Sequence, residues 1–223
     1  MGTKEPQYNN DLALRDRQGL TSLGLMTNQV WHEDPRRLIF LLSRYKFVSK
    51  MLKGKKNVLE VGCGDGFGGR VVSQEVEKLT LLDFEPHFIE DIQQRMDPKW
   101  PVELILHNLL DGAIEGEFDA IYSLDVLEHI KEEDEYTFLA NAFKALTPNG
   151  VAIFGMPSIH SQDYASPGSK AGHVNCKNEE ELRVTFGSFF ENVFIFSMND
   201  EVVHTGFTPM AHYLIILATN RKK

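Results

Sequence analysis

Cysteine is nearly missing from this chain: 223 residues contain two, Cys63 and Cys176. That excludes a disulfide framework, and neither cysteine lies in a CxxC pair of the metal-binding kind. A reducing, cytoplasmic setting is expected. No apolar run reaches the length needed to span a bilayer, so no stable membrane insertion is expected. The start, MGTKEPQYNN, is polar and has no apolar core of a signal peptide. Pro6 occupies the position where a myristoylation signal needs Ser or Thr. Basic charge is also scarce, with 23 Lys and Arg against 32 Asp and Glu and a net charge of −9. This balance argues against DNA or bulk RNA as a partner. No tight His/Cys/Asp/Glu ligand spacing occurs, so no metal centre is expected. Internal repeats and low-complexity stretches are absent too, which leaves one domain of ordinary composition.

Against this background, two features stand out. Arg36 to Lys56 holds eight Lys and Arg and no acid. Such a stripe is the solvated face of a packed helix, or it recruits an anionic substrate or a membrane surface. The second feature is VLEVGCGDGFGG, Val58 to Gly69, with five glycines in twelve residues. Glycine is costly to order, so the cluster marks a tight turn or a backbone that must approach a ligand closely.

Around that loop, short apolar runs alternate with helical stretches. Asp34-Pro35 reads as a helix start, followed by a helix over 36–53 whose buried face carries Leu38, Leu41, Leu42, Tyr45, Val48 and Leu52, with Gly54 ending it. Strands are predicted at 57–61, 79–82, 102–106, 119–123, 151–155, 192–196 and 213–218. Helices are predicted at 68–78, 86–96, 132–146 and 178–186, with Asn149-Gly150 closing the third. Strands alternating with helices argue for a parallel sheet covered on both faces. The segment 196–212 reads as a loop, so the last two strands should pair antiparallel. Residues 1–35 are expected to form a flexible segment or lid, and 36–223 a single domain with a cap helix at its start.

In open parallel sheets ligands bind at the carboxyl ends of the strands. The glycine loop sits at one such end with the spacing G-x-G-x-G, preceded by Glu60. A carboxylate there repels a pyrophosphate and suits a cationic ligand. Asp83 ends the second strand, about 20 residues on, where an acid commonly takes a ribose diol. Asn108 follows the third strand, and its amide can both donate to and accept from an adenine edge.

The ordered set VLEVGCGDGFGG, LLDFEP, FDAIYSLDVLEHI and LTPNGVAIFGMP resembles the class I S-adenosylmethionine-dependent methyltransferases. The resemblance covers about residues 57–157. It implies an α/β, Rossmann-like, seven-stranded mixed sheet in the order 3-2-1-4-5-7-6, with strand 7 antiparallel and helices on both faces. It further implies S-adenosylmethionine as cofactor, leaving as S-adenosylhomocysteine. Glu60, Gly62, Cys63 and Gly64 would border its methionine part, Asp83 its ribose, and Phe84, Asn108 and Leu109 its adenine, with Ser123 and Leu124 near the methionine end. The family often has Asp where Asn108 stands.

Alcohol methylation usually needs a base, and histidine suits that work near neutral pH. His129, His160, His173 and His204 fall in segments expected to form the outer pocket, and each could serve as base or make a structural hydrogen bond. The chain lacks an NPPY-like motif and a paired-glutamate loop. The expected reaction is therefore O-methylation of a small molecule, such as a sugar, a nucleotide-linked sugar or another anionic metabolite. Amine N-methylation on a small molecule or macromolecule and a non-catalytic binding protein are the alternatives, and a nicotinamide dehydrogenase on a related sheet is a further one that the loop spacing and antiparallel finish disfavour. The expected partner is a small-molecule methyl acceptor, and a homodimer is left open.

Overall fold

Strands buried on both faces carry the architecture. In β1 (Asn57–Val61), every residue after the first is buried, and in β2 (Lys78–Asp83) the same is true. Near-continuous apolar runs of this kind belong to parallel sheets sandwiched between helices. The computed structural model describes residues 2–222; the outermost residues of the expected N-terminal segment and domain, Met1 and Lys223, lie outside them. Before β1 come α1 (Asn9–Gln18), α2 (Leu25–Glu33) and α3 (Arg36–Met51). After it follow α4 (Gly69–Val72), α5 (Pro86–Arg95), β3 (Glu103–Leu106), β4 (Phe118–Leu124), α6 (Glu132–Lys144) and β5 (Leu146–Pro157). The chain ends with α7 (Pro167–Gly172), α8 (Glu179–Gly187), β6 (Phe190–Asn199), β7 (Val202–His204) and β8 (Tyr213–Arg221).

One sheet runs in the order β3-β2-β1-β4-β5-β8-β6-β7. The first five strands are parallel, and β8 enters antiparallel between β5 and β6. This is the expected order with one correction: the sheet has eight strands. The extra one, β7, lies in a segment expected to be a loop and pairs antiparallel with the end of β6. It escapes a periodicity reading because it is three residues long at an edge.

Two further expectations change. The helix after the glycine loop is only four residues long, followed by turns to β2. Asn149-Gly150 closes no helix; it lies inside β5, where the register against β4 shifts between Phe118 and Ala120. Phe118 pairs with Leu146 and Ala120 with Val151, so the residues between bulge out of the ladder.

Ahead of the sheet, the stretch expected to form a flexible segment or lid carries helices α1 and α2. Helix α1 buries none of its residues, which is why it shows no apolar period. Helix α3 follows its predicted face: Leu38, Tyr45 and Val48 are buried, as is Leu52 just beyond it. Each fully buried side chain of this size contributes roughly 1.5–3 kcal/mol of burial energy. These contacts fix α3 against the β1 side of the sheet and bring Arg44 and Tyr45 to the glycine loop.

Candidate active site

At the carboxyl end of β1 the chain turns through Gly62, Gly64 and Gly66, all at positive φ. Space is as restrictive as conformation. A Cβ on Gly62 would lie 2.4 Å from Val126 Cγ2, and one on Gly64 2.7 Å from Met26 Sδ. The loop is tied to β2, because Gly62 and Cys63 donate their N–H groups to the Leu82 carbonyl at 2.8 and 3.0 Å. Asp83 completes the tie: Oδ2 accepts from Gly64 N at 2.8 Å and Oδ1 from Glu85 N at 2.9 Å. Burial raises the Asp83 pKa, against the opposing pull of these N–H donors.

Two cavities meet at this loop. The first, about 490 Å³, has an apolar floor from Val61, Leu82, Phe88, Leu109 and Phe138, and bears Asp83 and Asn108 on its rim. Phe84 lies along it, 69% exposed, and Asn108 Oδ1 accepts from Leu110 N, leaving its NH2 group free of that bond. The second, about 400 Å³, is enclosed by Thr27 and Val30 of α2, Arg37, Phe40 and Arg44 of α3, Cys63, Leu124, Glu128 and His173. Met26, Gly62, Gly64, Asp125 and His129 line both. Glycines at positive φ, an acid at the end of β2 and an apolar slot beside an amide together fit a nucleoside carrying an amino-acid tail.

Glu60 does not line either cavity. Its side chain is buried among Tyr45 and Tyr122, whose hydroxyls donate to Oε1 and Oε2 at 2.7 and 2.6 Å. Burial lifts its pKa to about 7, although both tyrosine hydrogen bonds pull the other way. The reason is strand alternation: Glu60 points to the α3 face, where the tyrosines satisfy it. Ser123 is also turned inward, donating to the Val61 carbonyl at 2.8 Å. Cys63 is buried on the second cavity, and burial pushes its thiol pKa up.

The four histidines separate. His129 and His173 come together on the second cavity, ring centroids 5.2 Å apart and edge to face. His160 lies in a different groove with Glu179 and Arg183. His204 sits at the far edge of the sheet, with Nε2 against Asn199 Oδ1 at 2.8 Å and Nδ1 accepting from Gly206 N. Neither His160 nor His204 reaches the junction of the cavities.

The tautomers of the remaining pair follow from their partners. His129 Nδ1 lies 2.8 Å from the Gly172 carbonyl, which can only accept, so Nδ1 carries the proton and Nε2 a lone pair. Gln162 Nε2 donates to the Ser158 carbonyl, which turns its Oε1 toward His173 Nδ1 at 2.8 Å. His173 Nε2 is therefore also unprotonated in the neutral ring. Burial, and then the neighbouring His129, lower the His173 pKa.

Several residues here were not singled out from the sequence. Asp125 has φ 58°, a conformation rare outside glycine, and both of its carboxylate oxygens hold Arg44 Nη1 at 2.7 Å. Arg44 also lies over the Tyr213 ring at 3.8 Å. Glu128 is buried, its Oε2 has no hydrogen-bond partner among the described residues, and its Oε1 lies 4.0 Å from His129 Nε2. Burial, and then nearby Asp125, push the Glu128 pKa well above the usual carboxylate range. Only the acidic and basic residue types were visible in the sequence. The contacts join positions far apart in the chain.

The topology is that of the class I S-adenosylmethionine-dependent methyltransferase fold. Residues 58–150 match the family described as methyltransferase domain. The chain is 27% identical over 105 residues to a probable S-adenosylmethionine-dependent methyltransferase of Mycolicibacterium smegmatis, covering 46% of this chain and 38% of that protein. It is 25% identical over 131 residues to the mitochondrial ubiquinone biosynthesis O-methyltransferase of Schizosaccharomyces pombe, covering 51% and 45%. The chain thus spans less than half the length of these two relatives. Its fold is similar to the crystal structure of the N-methyltransferase NodS from Bradyrhizobium japonicum in complex with S-adenosylhomocysteine. That match has a TM-score of 0.60 and 20% identity, and covers 84% of this chain and 89% of that one.

Proposed function

We propose that this chain transfers a methyl group from S-adenosylmethionine to a hydroxyl of a small molecule, such as a sugar or a related anionic metabolite. The observation that carries the reading is the junction of the two cavities, shared by Met26, Gly62, Gly64, Asp125 and His129. The first cavity fits the donor and the second has room for an acceptor beside it.

S-adenosylmethionine, when bound, supplies a methyl group already activated on a sulfonium sulfur. The residues have three tasks. Asp83 accepts from the ribose hydroxyls, while Phe84, Asn108 and Leu109 hold the adenine. Gly62 and Gly64 admit the amino-acid end where any side chain would collide. Met26, Thr27 and Val30 of α2 cover one side of the second cavity, which helps hold an acceptor oxygen for in-line attack. The acceptor's proton is lost beside His129 and His173, whose Nε2 lone pairs favour a hydroxyl over an amine acceptor, since an amine with a free lone pair needs no such group. Arg37, on the wall of the same cavity, makes no ion pair among the described residues and suits one anionic group on the acceptor.

The test joins binding to product analysis. Calorimetry should show S-adenosylhomocysteine binding and NAD not binding, and Asp83→Ala should weaken the former by roughly 1–3 kcal/mol. With a 13C-labelled methyl donor and a panel of sugars and sugar nucleotides, the product's methyl carbon should resonate as O–CH3. A preference for NAD would overturn the donor assignment, and an N–CH3 product would overturn the acceptor chemistry.

A further inference from the structure

Two of the residues around the second cavity are imidazoles, His129 and His173, and the buried carboxylate of Glu128 lies beside them. Among the described residues, Glu128, His129 and His173 form the one group of three or more His, Cys, Asp or Glu side chains whose ligand atoms all lie within 4.8 Å of one another. We propose that these three side chains bind a divalent transition-metal cation on the wall of the acceptor cavity, and that the acceptor's hydroxyl oxygen takes an open position on it. The role in catalysis rests on the methyl-transfer reading; the cation site itself does not.

Three observations support the site independently of the clustering. First, each histidine is already set up as a ligand. Metal-bound imidazoles characteristically donate their second ring N–H to a carbonyl or carboxylate, which fixes the tautomer and aims the other nitrogen. His129 makes such a bond to the Gly172 carbonyl and His173 to the Gln162 side-chain oxygen, both at 2.8 Å. Second, Glu128 lines the cavity with its side chain 1% exposed, and its Oε2 is without a hydrogen-bond partner among the described residues. A buried carboxylate without a partner is costly, and a cation removes that cost. Third, the surrounding charges leave this role to Glu128. Asp125 has both oxygens on Arg44, so it is committed elsewhere.

The donor set also defines the cation. Two imidazole nitrogens and one carboxylate suit zinc, manganese, iron or cobalt rather than calcium or magnesium, which prefer oxygen ligands. Ligands sharing such an ion at about 2.0–2.2 Å lie about 3–4 Å apart, so modest side-chain movement closes the set around it. Three protein ligands leave positions open toward the cavity, the arrangement of a catalytic rather than a structural site. An acceptor hydroxyl bound there becomes more acidic. Its O–H bond breaks, the proton passes to solvent, and the electron pair stays on the metal-bound oxygen. In the loaded protein His129 and His173 are then ligands, not free bases.

Cobalt(II) is a direct probe, because its visible absorption reports nitrogen coordination without turnover. The full chain, stripped with a chelator, should take up one Co2+ with a saturable visible band, alone and with S-adenosylhomocysteine present. His173→Ala and Glu128→Gln should each weaken Co2+ binding by about tenfold or more while leaving S-adenosylhomocysteine affinity, the measure of correct folding, unchanged. Arg37→Ala, on the same wall, should leave Co2+ binding intact. Absence of a saturable band, or a band indifferent to His173→Ala, would overturn the site. Failure of S-adenosylhomocysteine to bind while Co2+ still binds would instead sink the methyl-transfer reading and leave the cation site standing.

Discussion

At the scale of single residues, the most informative is Glu60, because its environment reverses the expectation its position raised. It stands beside the glycine loop in sequence, and a carboxylate there invites a cationic ligand. In space it faces the other way, clasped by the Tyr45 and Tyr122 hydroxyls. That clasp makes a pH signature. Its folded pKa is raised from 4.5 to about 7, so between these values the native state holds a proton that the unfolded state has released. Stability from this group is therefore full at low pH and falls as pH rises from 4.5 toward 7, by roughly 3 kcal/mol in all. Asp83 and Glu128 shift in the same direction, so the test must isolate one group. Urea unfolding of the native chain and of Glu60→Gln, at several pH values across that window, should show the difference between them changing with pH. Glu60→Gln should gain relative stability as pH rises. Parallel curves would show that Glu60 titrates normally. Asp83, by contrast, lies where its place at the end of a strand led one to expect, because the strand's C-terminal edge fixes both its position and its outlook.

Between elements, the connection that matters is the docking of α2 on the glycine loop. The N-cap of α2 is Gly24, which offers no side chain to its exposed N–H groups. The acceptor comes from elsewhere: Asp65 Oδ2 takes Thr27 N–H at 2.7 Å, and its Oδ1 takes Phe67 N–H at 3.1 Å. One carboxylate thus caps α2 and braces the loop below it. Gly24 is needed for that approach, since a Cβ there would lie 2.4 Å from Asp65. Asp65→Ala should cost about 1 kcal/mol or somewhat more, the usual loss of a cap. The loss should be local: amide exchange should accelerate in α2 and not in β1 or β4, and KM for the acceptor should rise more than kcat falls. Uniform acceleration across the sheet would mean that Asp65 supports the fold at large. Sequence patterns made the parallel strands and α3 legible, because burial imposes a period on them. They left α2 unread, because a helix capped by a distant aspartate carries no local start signal. The pairing of His129 with His173, and of Arg44 with Asp125, was hidden for the same reason.

Over the whole molecule, ligand binding and stability are one linked equilibrium, because the cleft is assembled from pieces distributed along the chain. Gly62 and Gly64 follow β1, Asp83 ends β2, Asn108 follows β3, Asp125 follows β4, and Met26 belongs to α2. A ligand contacting all of them binds only the folded arrangement, so it stabilises the cooperative unit by RT ln(1 + [L]/Kd). At a concentration 100 times Kd that is about 2.7 kcal/mol, which for a chain of this size raises Tm by about 5–10 °C. Calorimetric scans should therefore show a single transition that S-adenosylhomocysteine moves upward by that amount and NAD leaves in place. Each further tenfold of ligand should add about 1.4 kcal/mol, half of that first shift, since the dependence is logarithmic. Two transitions, with only the later one moved, would mean that the N-terminal helices melt apart from the sheet and that α2 is no part of the ligand-binding unit. A single transition unmoved by S-adenosylhomocysteine would remove the donor from the cleft altogether.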